Sequence, residues 1–210
     1  MLRISNFLCV FLLFAFVACA QAATADGQAR ARLESEINKI FTILQTPEFV
    51  DKATRPAQRA KIEAVVAEIF DFEEFSLRTI GPRWQQFTPE QKKQFEKAFA
   101  ALLKATYLDR VDGYGGEQVQ YLGEQLSTKG DKVELRTTLS MKNGKTIPVF
   151  YRMLVKNGIW VVYDVIIENI SLVMNYRTQF QELLLKASPE ELTARILERA
   201  QKTRESIDAH

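Results

Sequence analysis

The sequence predicts an α+β domain in which a curved antiparallel sheet of about four strands packs against several helices and encloses an apolar cavity. Three observations lead to it. Apolar residues recur at helical spacing up to about residue 107, switch to period two between about 119 and 167, and return to helical spacing from Ser171 onward. Asn143-Gly144 and Asn157-Gly158 punctuate the period-two stretch in the manner of hairpin turns. Finally, in GIWVVYDVIIENISL, residues 158–172, the alternate positions Ile159, Val161, Tyr163, Val165 and Ile167 are apolar, and so are Trp160, Val162 and Ile166 between them. A strand apolar on both faces has to be covered on both, by protein or by ligand.

The first residues stand apart from this domain. Arg3 precedes an unbroken apolar run over residues 7–18, and Ala20-Gln21-Ala22 fits a small-x-small cleavage site, so residues 1–22 read as a signal peptide. The run is too short for a membrane span, which takes about 20 apolar residues. Cys19 loosely resembles a lipoprotein attachment site, although Phe16 stands where such sites usually carry leucine; the minor alternative is therefore a lipid-tethered chain. Both cysteines, Cys9 and Cys19, fall in this leader, so the exported domain must be held by its core without a disulfide. No repeat, low-complexity tract or linker divides residues 23–210, which read as one domain. The whole chain has 28 Lys and Arg residues, one of them Arg3 in the leader, against 26 Asp and Glu; this near balance gives no basic stripe, which argues against nucleic acid and gives no reason to expect anionic membrane surfaces as partners.

Each element has its signal. Leu33, Ile37, Ile40, Phe41 and Leu44 mark a helix over about 28–44, and Ile62, Val65, Val66 and Ile69 a second over about 57–70. A short helix over 73–80 is interrupted by Gly81-Pro82. Thr88 as N-cap, Pro89 at the first position and Gln91 as capping-box partner start the next, with Phe95, Phe99, Leu102, Leu103 and Tyr107 on its apolar face. Strands follow around 119–126, over 132–141 with one wet face, over 145–156, and through 159–167; Pro148 points to a bulge or an edge position. Residues 171–186 return to helical spacing, and SPEE at residues 188–191 caps a final helix.

Catalytic chemistry has little to draw on. His210, the last residue, is the only histidine, the exported domain has no thiol, and Gly113, Gly115 and Gly116 lack the lysine-serine pair of a phosphate loop. Asp164 beside Tyr163 would be an acid-base pair if buried and unpaired, but an aspartate in a strand is more often paired, here with Arg152 across the hairpin. The aromatic and methionine residues, Met174 and Tyr176 included, either fill a core or line a cavity. A cavity lined this way, without ionisable groups, would suit acyl chains.

Two segments carry a resemblance. Residues 70–107, FDFEEFSLRTIGPRWQQFTPEQKKQFEKAFAALLKATY, and residues 160–184, WVVYDVIIENISLVMNYRTQFQELL, resemble the two hallmark segments of the MlaC family, also called the toluene-tolerance or periplasmic phospholipid-binding family. The resemblance implies a soluble periplasmic carrier, not an enzyme, with no cofactor or metal and with phospholipid as cargo. It implies an inner-membrane ABC transporter with an MCE-domain protein and an outer-membrane lipoprotein–porin complex as partners, in the upkeep of outer-membrane asymmetry.

Carried over to this chain, it makes residues 23–210 a lipid-binding domain. Its implied lining is Trp84, Phe99, Leu103 and Tyr107 from the helices, with Val149, Tyr151, Met153, Val161, Tyr163 and Val165 from the strands. The likeness departs at Glu168-Asn169, where a glycine often precedes the serine. Three alternatives stay open: a hopanoid or other polycyclic-lipid carrier of the same family, a small-molecule enzyme using Asp164 and Tyr163, and a protein adaptor whose apolar faces are all core.

Overall fold

The alternation of residues 118–171 folds into five strands: β1 (Gln118–Leu126), β2 (Lys132–Ser140), β3 (Thr146–Lys156), β4 (Ile159–Ile167) and the two-residue β5 (Ile170–Ser171). They hydrogen-bond in sequence order as an antiparallel meander. The computed structural model describes residues 25–108 and 114–208. The expected leader, both cysteines and His210 lie outside these.

Turn chemistry sets the register. Asn157 and Gly158 take φ of 53° and 78°, as a two-residue primed turn requires. Glu168 and Asn169 adopt the same left-handed geometry, at 49° and 67°, without a glycine, and the turn they make adds β5 to the four strands expected.

One irregularity inside β4 decides which side chains face inward. Arg152 pairs with Asp164 and Met153 with Val162, so Tyr163 is an extra residue opposite no partner. Such a bulge exchanges the faces of the strand on either side of it. Trp160 and Val162 therefore share the inner face with Val165 and Ile167, opposite Val155, Met153, Tyr151 and Val149. Val161 falls on the outer face opposite Leu154. Strict alternation groups Val161 and Tyr163 with Val165; the bulge separates them.

Pro148 sits in a central strand and at no bulge. Its carbonyl accepts from the Glu168 N–H at 3.1 Å, just past the last β3–β4 partners Val149 and Ile167. The missing proline N–H thus faces the point where pairing has ended, and no ladder bond is lost.

The helices are α1 (Ala25–Leu44), the short α2 (Pro47–Val50), α3 (Arg55–Ile69), α4 (Phe72–Ile80), α5 (Pro89–Leu103), α6 (Leu172–Leu183) and α7 (Pro189–Asp208). Thr88 and Gln91 form the expected capping box on α5, and Ser188 with Glu191 forms the same device on α7. Asp71 caps α4 by accepting from the Glu74 N–H at 3.1 Å. That helix ends at Gly81, whose φ of 66° favours glycine; a Cβ there would also stand 3.0 Å from the Arg177 guanidinium, which would have to shift. A 3₁₀ segment, Gly81–Gln86, then leads to α5.

The core lies between the inner face of the sheet and these helices. Phe99, fully buried, meets Tyr176 at 4.9 Å, Phe180 at 5.2 Å and Phe75 at 5.5 Å between ring centres, and Phe95 extends the cluster to Trp84 and Phe87. Helices α1, α2 and α3 enclose a separate small core of Leu44, Phe49 and Ile62.

Candidate functional site

Where α1 and α3 cross the inner face of the sheet, the side chains do not fill the space between them. A cavity of about 310 Å³ remains. The sheet supplies Leu139, Val149, Tyr151, Val165 and Ile167 to its wall; α1 supplies Leu33, Glu36, Ile37 and Ile40, and α3 supplies Val66 and Ile69. Phe70, Phe72, Phe75, Leu103 and Leu172 complete it on the side of the main core. A second space of about 460 Å³ continues from the first, sharing Ile37, Ile40, Leu139 and Tyr151 and adding Phe41, Leu44, Tyr114, Val119 and Met141. Protein interiors seldom leave voids larger than a water molecule. An apolar space of this size has the dimensions of a ligand site.

The wall is almost free of charge. Among the described residues, the two charged ones that line the first space are each engaged: Glu36, essentially buried, receives Arg32 at 2.8 Å and Lys39 at 2.9 Å from its own helix, and Lys104 pairs with Glu63 of α3 at 2.7 Å. Burial pushes the Tyr151 phenol up to about 12, so it stays neutral across the physiological range. The space can therefore take apolar matter, with polar groups only at the rim, where Tyr107 is exposed and Glu117 and Tyr114 stand.

Lys104 and Tyr107 reach this wall through a local change of helix type. The segment Lys104–Leu108, which continues α5, is wound as a π-helix. Its wider turn is a feature often found at functional positions.

The structure brings together five of the ten residues put forward from the sequence: Leu103, Tyr107, Val149, Tyr151 and Val165 all stand on the cavity wall. Trp84, Phe99 and Met153 lie in the packed core, 6%, 0% and 0% exposed. Val161 is on the outer face, and Tyr163 at the bulge carries Arg78 over its ring at 4.2 Å. The α1 and α3 residues on the wall were legible only as apolar helical stripes, and a stripe facing a void reads the same as one facing a core.

Asp164 is 2% exposed and fully engaged. It accepts from the Ser171 hydroxyl at 2.7 Å, from the Val173 N–H at 3.0 Å and from Arg152 at 3.3 Å. Ser171 is itself the N-cap of α6. The carboxylate thus clamps the start of α6 to β4 and pairs with Arg152 as expected, which accounts for its burial. Among the described residues no cluster of three or more His, Cys, Asp or Glu could hold a metal ion, and no helix is long and apolar enough to cross a membrane.

These features have counterparts in known proteins. The family model described as MlaC protein matches residues 34–198. The Intermembrane phospholipid transport system binding protein MlaC of Haemophilus influenzae is 21% identical over 165 residues, 77% of this chain and 77% of that one. Among solved structures, a phospholipid-binding protein from Ralstonia solanacearum, determined in complex with a phospholipid, superposes with a TM-score of 0.73 at 25% identity. The match covers 84% of this chain and 98% of that one.

Proposed function

Because the chain belongs to the MlaC family, we propose that it is a periplasmic phospholipid carrier, exported by residues 1–22, that shields acyl chains inside the cavity. It takes lipid from, and gives it to, an inner-membrane ABC transporter with its MCE-domain protein and an outer-membrane lipoprotein–porin complex. The observation that carries the reading is the neutral apolar space between the sheet and helices α1 and α3. Burial of each methylene there is worth about 0.8 kcal/mol, so tails alone can hold the cargo and headgroup tolerance follows. Supporting a two-tailed lipid over a rigid polycycle, the space is divided by Ile37, Ile40, Leu139 and Tyr151 into two adjoining compartments. Release requires a partner that changes the shape of this space, because cargo so held leaves slowly by itself.

Native mass spectrometry of the purified chain, with solvent extraction of whatever it carries, tests the reading. A stoichiometric diacyl phospholipid is the expected result. A polycyclic lipid would move the assignment to the other branch of the family, and a bare mass unchanged by incubation with phospholipid vesicles would overturn carriage altogether.

A further inference from the structure

Among the described residues lining the first space there is one cation, Lys104, and its setting differs from that of the carboxylate there, Glu36. Glu36 is essentially buried, and its two cations, Arg32 and Lys39, sit one turn away on its own helix, so that cluster holds itself together. Lys104 reaches out of the π-helical turn to Glu63, a residue 41 positions away on α3, and the two side chains are 29% and 30% exposed. A pair this open to solvent is weak, and either partner can be exchanged for another ion. It also lies on the segment that carries Tyr107, which is 36% exposed. An ammonium group is thus held where an apolar space meets water.

We propose that Lys104 anchors the phosphodiester of the bound lipid, and that Glu63 occupies the ammonium group when no phosphate does. This deepens the carrier reading and rests on it. A lipid whose tails fill the cavity brings its phosphate to the rim, and one anion then replaces another at Lys104 without any further desolvation of the ammonium. Charge is conserved at the lysine, and Glu63 turns to water. The exchange adds selectivity for an anionic phosphate over an uncharged headgroup while leaving the alcohol beyond the phosphate unread.

The test uses the full exported chain and three forms of it: wild type, Lys104→Gln and Glu63→Gln, each checked for an unchanged thermal midpoint. Each is incubated with phosphatidylglycerol vesicles containing diacylglycerol of the same chain length, and the two bound lipids are quantified by mass spectrometry. Wild type is expected to be enriched in phosphatidylglycerol relative to the vesicle. Lys104→Gln should reduce that enrichment by about three- to tenfold, the range between an exposed pair and a charged hydrogen bond. Glu63→Gln, which removes the competitor, should raise it. Equal enrichment in all three would overturn the anchor while leaving the carrier standing; no uptake of either lipid would bring down both. Inorganic phosphate is added in a parallel arm. If it displaced the lipid phosphate and erased the enrichment as Lys104→Gln does, the site would be one for free phosphate and the lipid anchor would fall.

Discussion

Two apolar regions of this molecule are made of the same kinds of residue and do opposite things. Between α4, α5 and α6, the rings of Phe75, Phe95, Phe99, Tyr176 and Phe180 close on one another at 4.9 to 5.7 Å, with Phe75 at the border of the cavity. Between α1, α3 and the sheet, Ile37, Ile40, Val149 and Tyr151 face a void. The difference lies in what stands opposite each side chain. In the first region helices meet through interleaved rings; in the second, α1 and α3 reach the sheet through residues such as Leu33 and Ile69 but leave a space unfilled beside them. Apolar content measures how much surface must leave water, whereas the placement of elements decides whether protein or cargo covers it.

The sharpest way to break this comparison uses two valines of one hairpin. Val149 is on the cavity wall and Val161 on the outer face. Val149→Trp should abolish stoichiometric lipid in the native mass spectrum with the far-UV spectrum unchanged; Val161→Trp should leave the lipid in place. Equal loss in both would show that the two faces are not functionally distinct. On stability the contrast runs the other way. Phe99→Ala, deep in the ring cluster, should cost about 4 kcal/mol in urea unfolding. Ile37→Ala removes a side chain that already lacks partners on one side, and should cost about 1 kcal/mol.

The sequence made the fold readable because each element announced its own boundary. Thr88-Pro89, Ser188-Pro189, Gly81 and Asn157-Gly158 all stand where the structure turns or caps. The site was half readable for one physical reason. A strand's faces follow from alternation only while the ladder is regular, and Tyr163 breaks it, so the inward set switches from Trp160 and Val162 to Val165 and Ile167. No residue type marks that position as a bulge. Nor could composition separate Phe99 from Tyr107, which lie on one helical stripe; the first ends in the ring cluster and the second at the rim because the turn between them widens at Lys104.

Asp164 sharpens the comparison from the polar side. Its carboxylate joins the cavity-bearing sheet to the ring-packed half through α6, and removing it strands the Ser171 hydroxyl, the Val173 N–H and the Arg152 guanidinium. Asp164→Ala should therefore cost about 3 kcal/mol in urea unfolding. Lipid content per folded molecule should be unaffected; a loss of cargo without loss of stability would instead place Asp164 in the site. A smaller effect of opposite sign is expected at the neighbouring turn. Glu168 holds a φ of 49°, a left-handed conformation that glycine adopts without strain, and its exposed pair with Lys145 at 3.2 Å contributes little. Glu168→Gly should stabilise the chain by about 0.5 kcal/mol, read as a higher urea midpoint.

The smallest effect compares one carboxylate from each half. Glu36, beside the cavity, is nearly inaccessible but has a cation on each oxygen, whereas Glu96 on α5 is only partly covered and faces Glu73 and Asp71. Burial first, and then those two negative charges, raise the Glu96 pKa, against a smaller opposing pull from Lys156. Lys156 is held charged despite its burial by its bonds to Asp71 and Glu73, so its charge is largely spent on them. A carboxyl group whose pKa is higher in the folded than in the unfolded chain favours folding while it is protonated. That contribution is complete below the unfolded value of about 4.3 and is lost as pH rises through the folded one. At neutral pH the ionised Glu96 therefore works against the fold, and solvent screening keeps the amount small. Glu96→Gln should raise the melting temperature slightly at pH 7, and the gap should close as pH falls below about 4 and narrow with added salt. A gap that persisted in acid would mean that the amide packs better than the acid, and that charge had no part in it.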